Sequence, residues 1–384
     1  MSIAIPAEDP RQMPNRVVVD PSTITDNVRA IRSHLGEQTA LMAVVKADGY
    51  AHGMLESARA ALEGGATWLG VAHPASALAL SRAGIEASIL TWLWDPHTAP
   101  EILTDLVSAG IDVSVGSAQM LRLLSQAAKS VDARARVHVK IDTGMGRGGV
   151  GPASLDTVAQ SLLEDESVNL VGAWTHLSSA DDSTDPATDQ QVELFDRCVA
   201  QMEEITGPVP LQHIANTAAT LARRDLHRDI VRVGIGIYGY PPVPTELDLR
   251  PAMSLTSRLA MVKSVPAGQT IGYGHTMSTA EPTKLGLVPV GYADGLLRAA
   301  SGRCRVLINT RDGYRSAPQV GRISMDQIVV DLGADTDAAP GDEVIIFGPS
   351  YGAPTAADWA EAAGTIPYEI LTSVAGLVPR EVLS

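Results

Sequence analysis

The chain has 384 residues, 45% of them hydrophobic, with 34 glycines and 24 prolines, enough apolar material for two cored domains and unlike collagen-like or broadly disordered chains. Its net charge of -15 argues against nucleic acid or an anionic membrane surface as partner, since both attract basic patches. The two cysteines, Cys198 and Cys304, lie far apart without metal-ligand spacing, so no metal is expected and they read as reduced thiols of a cytoplasmic protein.

Residues 1–14 are polar, carry acids and prolines, and read as a loose leader rather than a signal peptide. From Val17 to about Tyr240, apolar runs alternate with amphipathic patterns. VVVD opens the series, followed by a helix capped by Thr25 or Asp26. LMAVVKADGY reads as a buried strand and a loop, and SARAALEGGA as a helix stopped by glycines. The strands WLGVAH, SILTWLW, IDVSVGS, RVHVKID and LQHIANT follow, with helices ASALALSRAG, EILTDLVSAG, AQMLRLLSQAAKS and VELFDRCVAQMEEITG among them; IVRVGIGIYG closes the series. This alternation predicts an α/β (β/α)8 TIM-type barrel over 15–243, with a doubly wound sheet as the alternative. After a Pro-rich connector, PPVPTELDLRP, the texture turns to short β-rich runs such as TKLGLVPVGYA, RCRVLINT and DEVIIFG. The region 244–384 therefore reads as a mostly β C-terminal domain ending in one helix, ADWAEAAG, and the segment TIPYEILTSV.

Lysine is scarce: Lys46, Lys129, Lys140, Lys263 and Lys284 are all there are. Lys46 follows the apolar run MAVV, at the end of what reads as the second barrel strand. There it points from the carboxyl end of the barrel toward the site, where a partly desolvated lysine can condense with an aldehyde cofactor. The plain alternative is a strand-end lysine reaching solvent.

The surrounding run VVKADGYAHG resembles the pyridoxal-lysine motif of the alanine racemase family, and matching segments recur in the family's order from about Val17 to Val374. The resemblance implies that Lys46 bears pyridoxal 5'-phosphate and that Tyr50 belongs to the cofactor site. In KIDTGMGRGG, glycines permit close approach to a ligand. The donor fork of Arg147 could hold a cofactor phenolic oxygen or a substrate carboxylate, with an exposed surface loop as the alternative; the resemblance gives it the phenolic oxygen, with Lys140 carbamylated to position it. In WTHLSSADD, His176 would stack on the pyridine ring and bond Tyr273 or Arg232, though a strand-end histidine is often structural. In HIANTAAT, Thr217 stands where the family usually has serine, and its hydroxyl would hold the phosphate, or cap a helix. In VRVGIGIYG, Arg232 would bond the pyridine nitrogen, and Gly234 and Ile235 would offer backbone groups to the phosphate. An arginine keeps its proton, so it would leave that nitrogen unprotonated. That weaker electron sink favours reprotonation over transamination.

The C-terminal region would supply the rest. In TIGYGHTM, Tyr273 matches the second base; an ordinary tyrosine pKa near 10 would have to fall for that task. Tyr292 of GYADG would limit substrate size, and Met325 and Asp326 of GRISMDQ would contact substrate. Tyr368 of IPYEI would bind phosphate. Each of these also reads plainly as a turn or packing residue. Taken together the resemblance implies a two-base racemase that interconverts L- and D-alanine for peptidoglycan. It also implies a homodimer whose sites are shared between subunits. Alternatives are a broader amino-acid (serine) racemase or a non-catalytic pyridoxal-phosphate carrier. A decarboxylase of similar shape is disfavoured by Arg232 and Tyr273, and a carrier by the presence of the second domain.

Overall fold

Eight parallel strands form one sheet in chain order: Ala40–Val44, Trp68–Val71, Ser88–Thr91, Asp112–Val115, Ala135–Lys140, Val168–Trp174, Leu211–His213 and Ile230–Val233. The computed structural model describes residues 13–350, 352–374, 376 and 378–383; the segment read as a leader lies outside these over residues 1–12. The first strand pairs with both the second and the eighth, Met42 standing opposite Trp68 and Arg232. Only the seam between the seventh and eighth strands lacks a ladder. It is bridged instead by Asp229 N–H to the Gln212 carbonyl at 3.1 Å and Arg232 N–H to the Ala215 carbonyl at 2.9 Å. The parallel sheet with its intervening helices bears out the barrel expectation.

The helices follow local rules. Pro74 and Pro100 open their helices at the first turn, where proline's missing N–H costs nothing. The Ser117 hydroxyl accepts the Met120 N–H and caps Ala118–Ser130. Buried Met42, Leu90 and Ile230, with Trp68 and Trp92 against them, form part of the barrel core.

The loop after the first strand is unusual. Ala47, Asp48, Gly49, Tyr50 and Ala51 all have left-handed φ, from 52° to 67°. Gly49 N–H donates to the Val45 carbonyl at 3.0 Å, so the chain winds one left-handed helical turn immediately after Lys46. Such a conformation costs about 1–2 kcal/mol per non-glycine residue. Gly49 has a further reason: a Cβ there would sit 2.5 Å from the Ser57 hydroxyl.

The chain divides into two units, one of Ile24–Gly49 and Gly53–Leu249, the other of Met1–Thr23, Tyr50–His52 and Arg250–Ser384. The second is built on a nine-stranded, mostly antiparallel sheet. VVVD, expected to open the barrel, belongs here. Arg16–Val19 pairs antiparallel with Met253–Arg258 and parallel with Arg380–Val382. A four-residue apolar run serves either sheet equally, and its partner lies over 230 residues away. Lys46 therefore ends the first barrel strand, not the second. Among its described residues the C-terminal region also holds two α-helices rather than one, Ala356–Ala363 and Pro367–Ser373, before the closing strand.

Candidate active site

Lys46, Arg147, His176 and Arg232, drawn from loops and strand ends far apart in sequence, come within electrostatic reach of one another at the carboxyl end of the barrel unit. Burial first, and the Arg147 guanidinium second, lower the pKa of the Lys46 amine. Lys140 is lowered by burial, Arg147 and Arg232, with Asp142 opposing them. His176 is pushed down to about 3 by burial and by Arg232, Arg147, Lys46 and Lys140, so its imidazole is neutral at pH 7.

Arg232 is the centre of this arrangement. Its side chain lies inside the barrel, and burial pushes its pKa down to about 9. Its partners are backbone carbonyls and rings: the Thr175 carbonyl at 2.7 Å, His213 at 2.8 Å and Ile214 at 3.2 Å. His176 Nδ1 stands 3.4 Å and His213 Nδ1 3.3 Å away. Its guanidinium also lies 4.9 Å from the Trp174 ring centroid, and Lys140 Nζ lies 5.0 Å from the same ring.

The loop carrying Arg147 is pinned at its base by Val150 N–H to the Lys140 carbonyl at 2.7 Å, and at its turn by Asp142, whose carboxylate accepts the Gly144 and Gly146 N–H groups. Gln191 ties this loop to the next. Its amide donates to Thr143 Oγ1 at 3.0 Å and the His176 carbonyl at 3.1 Å, and its oxygen accepts the Ser178 N–H at 2.8 Å. Thr217 is the first residue of its short helix, while Asn216 supplies the cap, accepting the Ala219 N–H. The Thr217 hydroxyl accepts the Gly234 N–H at 3.0 Å, and Ile235 beside it is buried.

The other expected residues fall in the second unit. Tyr50 is buried, its ring 6.0 Å from that of Tyr368, and burial with the Tyr368 neighbour raises its pKa. Tyr273 sits on a tight turn between Gly272 and Gly274, both at positive φ, and is 70% exposed. Tyr292 and Met325 are exposed too, on loops joined by Tyr292 N–H to the Ser324 carbonyl and Ala293 N–H to the Met325 carbonyl; Asp326 is exposed beside them. Gly291 makes this junction: a Cβ there would lie 2.1 Å from the Met325 carbonyl oxygen.

Sequence reading passed over Asp112, His138, His213 and Trp174, all buried inside the barrel. The available signal was an aspartate or histidine inside each of the barrel strands DVSV, ARVHVK and LQH.

The donor set on the barrel unit is rich in cations: Lys46, Lys140, Arg147 and Arg232, with Asp142 as the opposing carboxylate. A ligand bearing a phosphate ester, a phenolic oxygen and an aldehyde fits that chemistry.

The family profile described as alanine racemase, N-terminal domain, matches residues 19–242, and that of the C-terminal domain matches residues 252–382. The alanine racemase of Thermobifida fusca is 44% identical over 369 residues, covering 94% of this chain and 96% of that one. That of Mycobacterium tuberculosis is 44% identical, covering 94% of each. The solved alanine racemase of Streptomyces coelicolor superposes with a TM-score of 0.91 at 42% identity, over 96% of this chain and 98% of that one. The enzyme from D-cycloserine-producing Streptomyces lavendulae gives 0.91 at 41% identity, over 97% of each. The chain therefore belongs to the alanine racemase family, whose members depend on pyridoxal phosphate.

Proposed function

We propose that this chain interconverts L- and D-alanine, with Lys46 and Tyr273 as its two bases. The observation that carries the reading is the half-buried Lys46 amine. It is lowered in pKa by burial and by Arg147, at the carboxyl end of a barrel strand, where barrel enzymes gather their chemistry. Pyridoxal phosphate, when bound, supplies the electron sink that makes the α-C–H of alanine acidic. Lys46 would hold it, with Arg147 at its phenolic oxygen, Arg232 at its ring nitrogen, and Thr217, Gly234, Ile235, Tyr50 and Tyr368 around its phosphate. His176 would lie against its ring.

Inversion requires removing a proton from one face of the α-carbon and returning one on the other. Tyr273 Oη takes the proton of L-alanine and Lys46 Nζ delivers one to the opposite side; the reverse reaction exchanges the roles. The depressed amine of Lys46 suits this exchange, because a base with a pKa closer to neutrality is available in both forms. Met325, Asp326 and Tyr292 would line the approach of substrate. Arg147 would also meet its carboxylate, and Lys140 as a carbamate would orient Arg147.

Tyr273, Tyr292 and Met325 are large side chains left exposed, which supports a second copy of the chain covering them in a homodimer with shared sites. No helix among the described residues is long and apolar enough to cross a membrane. We place the enzyme in the cytoplasm, supplying D-alanine for peptidoglycan.

Racemisation of L-alanine in deuterium oxide tests the reading, wild type beside Tyr273→Phe. Wild type should form deuterated D-alanine, and the variant should lose proton removal from the L isomer selectively. Release of carbon dioxide, or untouched alanine with bound cofactor, would sink it.

A further inference from the structure

Asp112, His138 and His213, each no more than 1% exposed, form a line of polar groups through the barrel that ends at Arg232. The direction of every proton in this line follows from its ends. A guanidinium has donors only, so His213 Nδ1, 3.3 Å from Arg232, must accept. The His213 proton then sits on Nε2, which lies 2.9 Å from His138 Nδ1 and donates to it. His138 is thereby bare at Nδ1 and protonated at Nε2, and it donates to Asp112 Oδ1 at 3.1 Å. The opposite order would set His213 Nδ1–H against an Arg232 N–H.

Asp112 closes the line as an acceptor-only anion, gripped by Arg136 through Nε at 3.2 Å and a terminal nitrogen at 3.1 Å. Each ring is held by a tryptophan: Trp174 stacks on His213 with an interplanar angle of 4°, and Trp68 meets His138 edge-on at 5.6 Å, while the two imidazoles are inclined at 71° to each other. Neither ring can reverse its order without leaving a buried donor facing a donor.

We propose that Asp112 is a positioning residue. It fixes the tautomers of His138 and His213 and so holds the Arg232 guanidinium in the orientation from which it donates to the reaction. The inference rests on the racemase reading, in which a donor rather than a carboxylate stands at residue 232. It gives a residue at the amino end of a barrel strand control over the electronics at the carboxyl end.

The test uses the full chain loaded with pyridoxal phosphate and labelled with nitrogen-15 in its histidines. The resonances are assigned with His138→Asn and His213→Asn. Both rings should carry the proton on Nε2 alone. Asp112→Leu leaves the His138 Nε2–H without an acceptor, so that ring should turn out of the line and show mixed tautomers, and kcat should fall about tenfold to a hundredfold with KM changed by less than about threefold. A proton on Nδ1 of either wild-type ring overturns the proposal. So does Asp112→Leu with wild-type tautomers and kcat. Should that variant not fold, Asp112→Asn, whose amide can turn a donor toward His138, takes its place under the same two readouts. The tautomers are read without turnover and so stand apart from racemisation, whose absence in wild type would instead remove the underlying reading.

Discussion

The Thr217 hydroxyl accepts the Gly234 N–H at 3.0 Å, joining the loops after the seventh and eighth barrel strands. Thr217→Val keeps the shape and removes the acceptor, leaving a buried N–H without its partner. A loss of about 1–3 kcal/mol is expected, read as a lower urea midpoint, together with weaker binding of pyridoxal phosphate. Thr217→Ser keeps the hydroxyl and should bind as wild type.

Gly291 has no room for a side chain beneath the Met325 carbonyl. Gly291→Ala should cost about 1–3 kcal/mol through overpacking and displace the loop carrying Met325 and Asp326. Steady-state kinetics should register the displacement as a higher KM for alanine. An unchanged KM would separate that loop from substrate binding.

His176 titrates near 3 in the folded chain against about 6.5 when unfolded. Between those values the unfolded chain binds the extra proton. Stability is therefore full above about pH 6.5 and declines as the pH falls toward 3. His213, lowered well below its ordinary value by burial and Arg232, acts in the same direction. Urea midpoints of the cofactor-free protein should fall between pH 7 and pH 5, with a shallower slope in His176→Gln. Equal slopes in the two proteins would contradict the assignment.

Burial, Arg147 and Arg232 lower the pKa of Lys140, which leaves more of its amine uncharged and open to carbon dioxide. A carbamate at Lys140 should appear in the intact mass at neutral pH as one added carbon dioxide, increasing with bicarbonate. Lys140→Ala should abolish it. A wild-type mass unchanged at saturating bicarbonate would remove the idea.

The strands and most helices were legible because burial imposes apolar runs on strands and proline or serine marks helix starts. The destination of VVVD was not, since its pairing of Val17 with Leu255 depends on residues far along the chain. Neither was the left-handed turn after Lys46: Ala47, Asp48 and Tyr50 carry no signal for positive φ, and surrounding structure imposes it. Of the candidate site, Lys46, Arg147, His176 and Arg232 were readable as individual residues within motifs. The line from Asp112 to Arg232 was not, because it arises from side chains of separate strands meeting inside a barrel.

The seam of the barrel gives Arg232 a second task. Where a backbone ladder is missing, its side chain fastens the His213 and Ile214 carbonyls on one side and that of Thr175 beyond. The group proposed to tune the ring nitrogen is thus also the clasp of the fold. Exchanging it for a carboxylate, the simplest route toward a different pyridoxal chemistry, would turn three carbonyls against an anion and open the barrel along its weakest line. Descent toward a new reaction from this scaffold would first require a new fastening elsewhere.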